Sequence, residues 1–292
     1  MSTLTDRSTG RTGLEAIGTV IYHFRVLDST NTYALKLLSQ IRPKAGTLIS
    51  ADYQTTGRGQ MGRDWHSAPG LNLCLSCILY PETNAQNQFA ISMAVALAVR
   101  DTVADFINQE RVKIKWPNDI YVGDKKIAGI LIQTSIHGNV IIYCVAGIGL
   151  NVNETDFPAE LPNPTSLKLE TTETLDRDLP DGSQELSIPE GRLSLAGRQE
   201  GIVNSWDINA VQERLTENLS KRLNLLGSPG TRLHDDYHSA LYRRDIQSHF
   251  RIFQNKSIQS GTIEKVDELG RLIIRWKNGE IRSYQHHEIE YV

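Results

Sequence analysis

The residues best suited to chemistry stand in one glycine-rich run, Gly57-Arg58-Gly59-Gln60-Met61-Gly62-Arg63-Asp64-Trp65. Glycine lets a ligand come close to the bare main chain, so the N–H groups of such a run can surround an anion. Arg58 and Arg63 add guanidinium groups whose fork geometry suits phosphate or carboxylate. The run is therefore a candidate anion-binding loop, although an isolated glycine run is more often a flexible surface loop.

The same run matches the dinucleotide-binding pattern G-x-G-x-x-G at Gly57, Gly59 and Gly62. That pattern requires a strand before it and a helix that opens directly after it. A strand-like segment does precede the run, but residues 63–72 contain Pro69-Gly70 and show no helical periodicity. We therefore do not predict a dinucleotide site here.

Three other segments carry polar groups at places where strands and helices begin or end. Asp28-Ser29-Thr30-Asn31 precedes an apolar helical pattern, so it predicts a helix cap that could also hold a polar ligand group. Lys115-Trp116-Pro117-Asn118-Asp119 interrupts an alternating segment, and Gly147-Ile148-Gly149-Leu150-Asn151 ends an apolar strand. Taken singly, Asn118-Asp119 is an ordinary turn pair and Lys126 a solvated turn lysine.

Two further spacings have a metal or redox interpretation and a structural one. Cys74-x-x-Cys77 lies in an apolar segment typical of a buried strand, where residues three apart point to opposite faces, so we interpret both cysteines as core residues. His234 and His238 are four apart and would share a helix face, a spacing compatible with metal binding. No third ligand lies near them in the sequence, and we do not predict a metal site there.

The composition of the 292-residue chain is 39% hydrophobic and 22% charged, which is typical of a soluble globular protein. A formal net charge of −3 provides no basic field for non-specific nucleic-acid binding. The apolar segment 89–99 is too short to span a bilayer, and the N-terminus lacks the layout of a signal peptide. Three cysteines do not form a disulfide framework. We expect a cytoplasmic protein that binds neither nucleic acid nor membrane.

The elements that must position these groups are strands mixed with helices. Strand patterns occupy residues 19–27, 47–53, 72–80, 112–116, 120–122, 126–134 and 140–151, and helical patterns occupy residues 33–38, 88–108, 208–226 and 232–242. Four more strand patterns, at 250–253, 260–266, 270–276 and 280–284 with a hairpin turn at Asn278-Gly279, predict a small barrel. Residues 152–203 predict a long irregular excursion, with 171–201 the weakest candidate for order, and residues 1–18 a flexible tail.

Taken together and in this order, the motifs resemble those of biotin–protein ligases. The resemblance rests on the glycine–arginine run, Lys115 to Asp119, Lys126-x-x-Gly129-Ile130-Leu131, Asp28 to Asn31, and Gly147-x-Gly149-x-Asn151. It covers about residues 19–292 and implies an α+β fold. The expected parts are a catalytic domain at 19–240, with a mixed sheet flanked by helices, and a small C-terminal β-barrel domain at 241–292.

The resemblance also implies an activity in two half-reactions. The carboxylate of biotin attacks the α-phosphorus of ATP, which gives biotinyl-5′-adenylate and pyrophosphate. A lysine amine of the biotin carboxyl carrier protein of acetyl-CoA carboxylase then attacks the activated carbonyl and releases AMP. Some family members also carry an N-terminal helix-turn-helix domain and act as repressors. About eighteen residues precede the first predicted strand here, so we expect no repressor activity from this chain.

The resemblance assigns roles to residues of this chain. Arg58, Lys126 and Asp119 are expected to be catalytic. The expected biotin-binding residues are Ser29, Thr30, Asn31, Gln54, Gly57, Arg58, Lys126, Gly129 and Gly147. The residues expected at ATP and the adenylate are Arg58, Gly59, Gln60, Arg63, Trp65, Asn118 and Asn151. Asp119 is also the expected Mg²⁺ ligand, because magnesium usually takes one or two carboxylates together with substrate phosphates.

These residue types suit the implied chemistry. Joining a carboxylate to a triphosphate brings two anions together, so the site must neutralise charge, which backbone N–H groups and Arg58 can do. Similarity to the family puts Lys126 near the α-phosphate and the carboxyl oxygen. The ureido ring of biotin needs neutral hydrogen-bond partners, which the hydroxyl and amide side chains supply. Trp65 is expected to stack near the adenylate or to close the loop and keep water from the mixed anhydride.

One departure from the family pattern is Gln60, where many members have an arginine that holds the adenylate. An uncharged side chain there shifts the retention of the intermediate towards Arg58 and Arg63, unless glutamine is a tolerated variant. Two alternative functions stay open: a lipoate or octanoate ligase or transferase, and a non-catalytic biotin-binding regulatory protein. Family members differ in oligomeric state, and a homodimer is one option.

We predict that residues 57–62 are mobile without ligand and become ordered when biotin and ATP bind, because the run must close over a reactive intermediate. Limited proteolysis with and without the two ligands measures this. Equal protease sensitivity of the run in both conditions would count against the prediction.

Overall fold

A seven-stranded mixed sheet forms the larger part of the protein in the computed structural model, which describes residues 17–177, 205–226 and 232–292. Its strands are β1 (Ile21–Phe24), β2 (Thr47–Ala51), β3 (Asn72–Leu79), β4 (Val112–Lys115), β5 (Asp119–Val122), β6 (Lys125–His137) and β7 (Val140–Asn151). They lie in the order β1-β2-β3-β7-β6-β5-β4, with β1 parallel to β2 and all other pairs antiparallel. The predicted mixed sheet is confirmed.

Within the described residues, the α-helices beside this sheet are α1 (Thr30–Gln40), α2 (Gln88–Ala104), α3 (Leu167–Arg177), α4 (Ile208–Leu223) and α5 (Leu233–Ser239). Alternation along β3 divides its side chains between two faces. Leu73, Leu75 and Cys77 belong to the main core, which also holds the apolar residues of α2 and α4. Ile78 belongs to a smaller cluster with Ala34 of α1, so α1 covers the opposite face of the sheet.

Two segments that the sequence marked as irregular are partly ordered. The helix α3 lies inside the expected excursion, and it includes residues 171–177 of the segment expected to be least ordered. Its Leu167 is fully buried, and Glu170 accepts hydrogen bonds from Arg111 Nη2 and Thr165 Oγ1, both at 2.7 Å. A buried anchor of this kind is a long-range contact that local periodicity does not reveal. Residues 178–203 of the excursion lie outside the described residues.

The end of the expected tail also packs onto the fold. Ile17 is buried, and Gly18 donates a backbone hydrogen bond to Gly46 O at 2.8 Å. This corrects the prediction of a tail that reaches residue 18. Residues 1–16 lie outside the described residues.

A second, antiparallel sheet follows at the C-terminus. Its strands are β8 (Gln247–Ile252), β9 (Ser257–Val266), β10 (Leu272–Trp276), β11 (Ile281–Tyr284) and β12 (Ile289–Tyr291), in the order β11-β10-β9-β8-β12. The predicted turn at Asn278-Gly279 is confirmed, with Gly279 at φ +87°. Within residues 232–292 the edge strands β11 and β12 do not pair, so the predicted barrel is an open five-stranded sheet. The sequence did not predict β12, which is only three residues long.

The two sheets are joined by main-chain and side-chain contacts. The segment after α5 pairs with β4: Ile114 donates to Ala240 O and Tyr242 donates to Ile114 O, both at 2.8 Å. Trp116 Nε1 donates to Gly270 O at 2.9 Å, in the turn between β9 and β10. One apolar core continues from the first sheet into the second. The C-terminal sheet is thus held against the segment that carries Lys115 and Asp119.

Among the residues that the structure describes, no helix has the length and apolar character that a membrane crossing requires.

We predict that Glu170→Ala lowers the free energy of unfolding by about 3 kcal/mol, because it leaves Arg111 and Thr165 without their buried partner. Denaturant titration measures the loss. Glu160→Ala removes an exposed carboxylate from the segment just before α3 and should change stability very little. Equal stability of the two variants would show that the buried carboxylate does not anchor α3.

Candidate active site

A cavity of about 400 Å³ lies between α1, the glycine–arginine run, the strands β5 to β7 and the C-terminal sheet. The sequence-predicted site residues that line it are Ser29, Thr30, Asn31, Gln54, Arg58, Gly59, Gln60, Arg63, Trp65, Asn118, Asp119, Lys126, Gly129, Gly147 and Asn151. The fold thus brings together residues that are as far apart as 29 and 151 in the chain. Gly57 is the predicted site residue that does not line the cavity.

The glycine–arginine run is a short closed loop. Gly59 donates a hydrogen bond to Arg63 O at 2.7 Å, and Trp65 donates to Gly57 O at 2.9 Å. A β-carbon on Gly57 would lie 2.5 Å from Trp65 O, so loop closure itself requires glycine there. No helix opens after Gly62, and the chain continues in extended conformation at Arg63. This geometry agrees with the rejection of a dinucleotide site.

Trp65 rests on bare backbone provided by two glycines. Gly129 of β6 and Gly149 of β7 are directly paired across the sheet. A β-carbon on Gly129 would lie 2.8 Å from Trp65 Cζ3, and one on Gly149 would overlap the indole ring. The indole can reach the floor of the cavity only because both positions lack a side chain. Its Nε1 is buried there without a hydrogen-bond partner.

A neutral polar cluster forms the α1 side of the cavity. Ser29 caps α1, and the Thr30 N–H donates to Gln54 Oε1 at 2.8 Å. Asn31 Nδ2 donates to Gln133 Oε1 at 3.0 Å, and Ser76 Oγ donates to Asn31 Oδ1 at 2.6 Å. A β-carbon on Gly147 would overlap the Asn31 side chain, so this glycine makes room for the amide. The cluster carries no charge and can exchange hydrogen bonds with a neutral ligand.

A charged pair lies at the junction of β5 and β6. Lys126 Nζ is 2.8 Å from Asp119 Oδ1, and the two side chains are 31% and 22% exposed. Lys126 Nζ also lies 5.5 Å from the centre of the Trp65 ring, a cation–π distance. Asn118 holds the turn before β5, because its Nδ2 donates to Ile130 O at 2.7 Å and Ile130 N donates to Asn118 O at 2.9 Å.

A histidine–carboxylate contact fixes the segment that leaves the loop. His66 lines the cavity, and its Nε2 lies 2.7 Å from Oε1 of the buried Glu154. The second oxygen of Glu154 accepts a hydrogen bond from Ala68 N at 3.2 Å and one from Asn72 Nδ2. The end of β7 therefore holds the chain that follows Trp65.

Sequence reasoning missed two polar residues that bond Asn31 and the residues of the C-terminal wall of the cavity. Ser76 and Gln133 could have been found from strand alternation, since Gln133 shares a face of β6 with Gly129 and Ser76 is a fully buried hydroxyl in an apolar strand. The C-terminal wall had no comparable signal, because the second sheet meets the cavity only through tertiary packing. It contributes Phe250, Phe253, Leu272, His286, Ile289, Glu290 and Tyr291.

Among the described residues, no three or more His, Cys, Asp and Glu side chains lie together as a metal-binding cluster would require. His238 Nε2 is bonded to the backbone of Val266, and burial lowers the pKa of His238. The cysteines Cys74, Cys77 and Cys144 are free and buried. Burial raises the pKa of Cys144 to about 12 and also raises that of Cys77. Core packing of the cysteines is confirmed.

Residues 23–151 match the family model described as the biotin/lipoate A/B protein ligase family. All the predicted site residues, from Ser29 to Asn151, lie inside this matched segment.

The chain is also similar in sequence to curated ligases. The chain is 37% identical over 166 residues to the bifunctional ligase/repressor BirA of Bacillus subtilis, covering 56% of this chain and 50% of that protein. It is 35% identical over 154 residues to the biotin–[acetyl-CoA-carboxylase] ligase of Paracoccus denitrificans, covering 51% of this chain and 63% of that protein. The chain thus spans about half the length of the first of these relatives and somewhat more of the second.

The structural similarity extends beyond residues 23–151 to the C-terminal sheet. The biotin protein ligase of Aquifex aeolicus, solved in complex with biotin and ATP, superposes with a TM-score of 0.67 at 21% identity, covering 94% of this chain and 99% of that chain. Similarity at this level of identity shows a shared fold. It includes the mixed sheet, its helices and the C-terminal sheet.

We predict that Gly149→Ala displaces the Trp65 indole from the floor of the cavity and costs about 1–3 kcal/mol of stability, because the added methyl group occupies the space of the ring. The emission of Trp65 should move to longer wavelength as the ring becomes exposed. The matched control is the same substitution in a Trp65→Phe background, which should leave the emission of the other tryptophans unchanged. An unaltered spectrum of Gly149→Ala alone would refute the packing role of this glycine.

Proposed function

We propose that the chain is an ATP-dependent biotin–protein ligase. It attaches biotin to a lysine of the biotin carboxyl carrier protein of acetyl-CoA carboxylase through a biotinyl-5′-adenylate. The observation that carries the proposal is that one cavity holds the Lys126–Asp119 pair, the arginine loop and a neutral polar cluster. These are the three kinds of surface that a carboxylate, a triphosphate and an uncharged ring system require.

Repulsion between the two anionic substrates is the main barrier to the first half-reaction. A carboxylate oxygen of biotin attacks the α-phosphorus of ATP, the bond to the bridging oxygen breaks, and pyrophosphate leaves with the electron pair. Two anions must approach each other, so cations that are already in place lower the barrier. Arg58 and Lys126 line the same cavity and supply this charge, and the backbone N–H groups of the loop add dipoles.

The second half-reaction transfers the acyl group to the carrier. The neutral lysine amine of the carrier attacks the carbonyl carbon of the mixed anhydride, the bond to the phosphate oxygen breaks, and AMP leaves. The amine releases one proton to solvent as the amide forms. Lys126 stabilises the negative charge that develops on the carbonyl oxygen, and Asp119 holds Lys126 in position through their 2.8 Å ion pair.

The neutral cluster suits the recognition of biotin. Thr30 donates a hydrogen bond to Gln54, and Asn31 donates one to Gln133. These hydroxyl and amide groups are neutral, so a ureido ring can join them without burying an unpaired charge. Ser29, Gly129 and Gly147 complete this side of the cavity. An apolar ring system would lie over the bare glycine backbone beside Trp65.

The nucleotide would occupy the side of the cavity formed by the loop and the ends of β5 and β7. The residues that we propose there are Arg58, Gly59, Gln60, Arg63, Trp65, Asn118 and Asn151. Asn151 has a buried Oδ1 without a hydrogen-bond partner, and a donor group of the ligand would satisfy it. Trp65 would help to keep water from the anhydride, because its ring covers the floor of the cavity 5.5 Å from Lys126 Nζ.

Asp119 is the proposed magnesium ligand. A single carboxylate beside phosphate groups fits Mg²⁺, which keeps several waters and takes its other ligands from the nucleotide. When bound, the ion would neutralise part of the phosphate charge. The Asp119 carboxylate already has one oxygen engaged with Lys126, so the second oxygen is the one available to a cation.

The proposal extends to organisation and location. We assign residues 19–240 to the catalytic unit and 241–292 to the C-terminal unit, which contributes one wall of the cavity. The protein would act in the cytoplasm on the carrier protein, as a monomer or homodimer, without a nucleic-acid partner.

We predict that the protein, ATP and Mg²⁺ add biotin and not lipoate to a carrier domain, and that Lys126→Ala reduces this modification by about a hundredfold or more, because a desolvated charge at the reacting atoms is lost. Mass spectrometry of the carrier measures both results. Lys113→Ala is the matched control, since Lys113 lies on the neighbouring strand β4 and does not line the cavity.

Three outcomes would overturn parts of this proposal. Addition of lipoate but not biotin to the carrier would make the chain a lipoate ligase instead. Biotin binding without any modification of the carrier would make the chain a binding protein. Near-normal turnover by Lys126→Ala would remove Lys126 from its role.

A further inference from the structure

Lys115 stands beside the charged pair but does not join it. It lies on β4 directly opposite Asp119 of β5 in the strand register. Side chains at directly opposed positions are close enough for oppositely charged groups to pair. The Asp119 carboxylate is nevertheless paired with Lys126, and the Lys115 ammonium points elsewhere.

The ammonium of Lys115 is held by three tyrosines, Tyr121, Tyr242 and Tyr291, which we call the tyrosine cage. Its Nζ donates a hydrogen bond to Tyr121 OH at 3.0 Å. The same Nζ lies 4.5 Å from the ring centre of Tyr121, 5.1 Å from that of Tyr291 and 5.9 Å from that of Tyr242. All three are cation–π distances, so the tyrosine rings stabilise the Lys115 ammonium in place of a carboxylate.

Two of the three tyrosines come from the C-terminal part of the chain. Tyr291 belongs to β12, and Tyr242 follows α5 and is bonded to β4 through its backbone. The rings pack on each other, with Tyr242 5.2 Å from Tyr121 and 5.9 Å from Tyr291. The Tyr242 hydroxyl donates to Asp124, which fixes the ring. The position of Lys115 therefore depends on the docking of the C-terminal sheet.

The charges around Lys115 show that the cage acts against the attraction between Lys115 and Asp119. Burial lowers the pKa of Lys115, the Asp119 carboxylate raises it, and Lys126, Arg243 and Asp124 act more weakly. The field of Asp119 thus reaches Lys115 although the two groups are not paired. If Lys115 were released, its ammonium would compete with Lys126 for the same carboxylate.

We propose that the tyrosine cage holds the Lys115 ammonium away from Asp119, so that the Asp119 carboxylate pairs with Lys126. Lys115 and the three tyrosines are positioning residues in this scheme, and the C-terminal sheet acts on the charged pair through them. The consequence for turnover rests on the proposed ligase function. The geometry of the pair does not, and it can be tested separately.

The first test is structural and uses the full chain. In a crystal structure of Tyr291→Leu we expect Lys115 Nζ within about 4 Å of the Asp119 carboxylate. Tyr291→Phe is the matched control: it keeps the ring and removes a hydroxyl that has no hydrogen-bond partner, so Lys115 should stay in the cage. Lys115 unmoved in Tyr291→Leu, with the Asp119–Lys126 distance unchanged, overturns the proposal.

The second test is a rescue. Biotin-dependent exchange of pyrophosphate into ATP should fall about tenfold in Tyr291→Leu, the size expected from losing one desolvated cation–π contact. Adding Lys115→Met to that variant keeps the aliphatic stem and removes the competing charge, so most of the lost rate should return. A purely structural defect would not be rescued, and absence of rescue in a folded protein overturns the proposal.

The two tests separate the two hypotheses. If the natural chain shows no pyrophosphate exchange, the proposed function fails, while a shift of Lys115 towards Asp119 in Tyr291→Leu still supports the cage. If exchange occurs but Lys115 does not move, the cage fails and the ligase proposal stands.

Discussion

The cavity depends on the close approach of side chains to bare backbone on β6 and β7. The paired glycines Gly129 and Gly149 admit the indole of Trp65, and Gly147 admits the amide of Asn31. A β-carbon at any of the three positions would meet these side chains at less than van der Waals distance. Because β6 and β7 are interior strands with a hydrogen-bonded neighbour on both sides, they cannot easily shift to make room for an added β-carbon. The floor of the cavity therefore exists only because these three positions are glycine.

The opposite face of β6 and β7 is packed with apolar residues, which lets these strands tolerate the glycines of the cavity floor. Ile148 and Leu150 of β7 point into the main core with Ala128 of β6, where α2 and α4 cover them. Glycine in a strand weakens pairing because it offers no side chain to pack, and this cost is offset by the apolar residues that alternate with it. One strand thus carries a packed face and an open face, and the alternation of β-structure keeps them separate.

The charged groups are arranged around this floor by different parts of the chain. The loop supplies arginines, the β5–β6 hairpin supplies the Lys126–Asp119 pair, and the C-terminal sheet reaches the same region through the tyrosine cage around Lys115. A charge this close to the reacting groups has to be oriented, since an ammonium can pair with whichever carboxylate is nearest. The C-terminal sheet then has a role beyond closing one wall of the cavity.

Much of the fold was predictable because its signals are local. The apolar content of 140–151 predicted β7 at its observed bounds, Val140–Asn151, and Asp28 to Asn31 predicted the start of α1, which Ser29 caps. The signals failed where the stabilising contact is distant in sequence. The helix α3 depends on Glu170 meeting Arg111, and β12 depends on pairing with β8.

The sequence by itself determined the identity and spacing of the reactive groups, and through them the resemblance to a ligase family. Residue type is enough for that, since charge, hydrogen-bonding capacity and the lack of a side chain are intrinsic. The tertiary structure alone decided which groups meet. It placed Ser76 and Gln133 beside Asn31, turned Asp119 towards Lys126 and drew Lys115 into the cage, because these choices depend on distances between strands and sheets that no local pattern encodes.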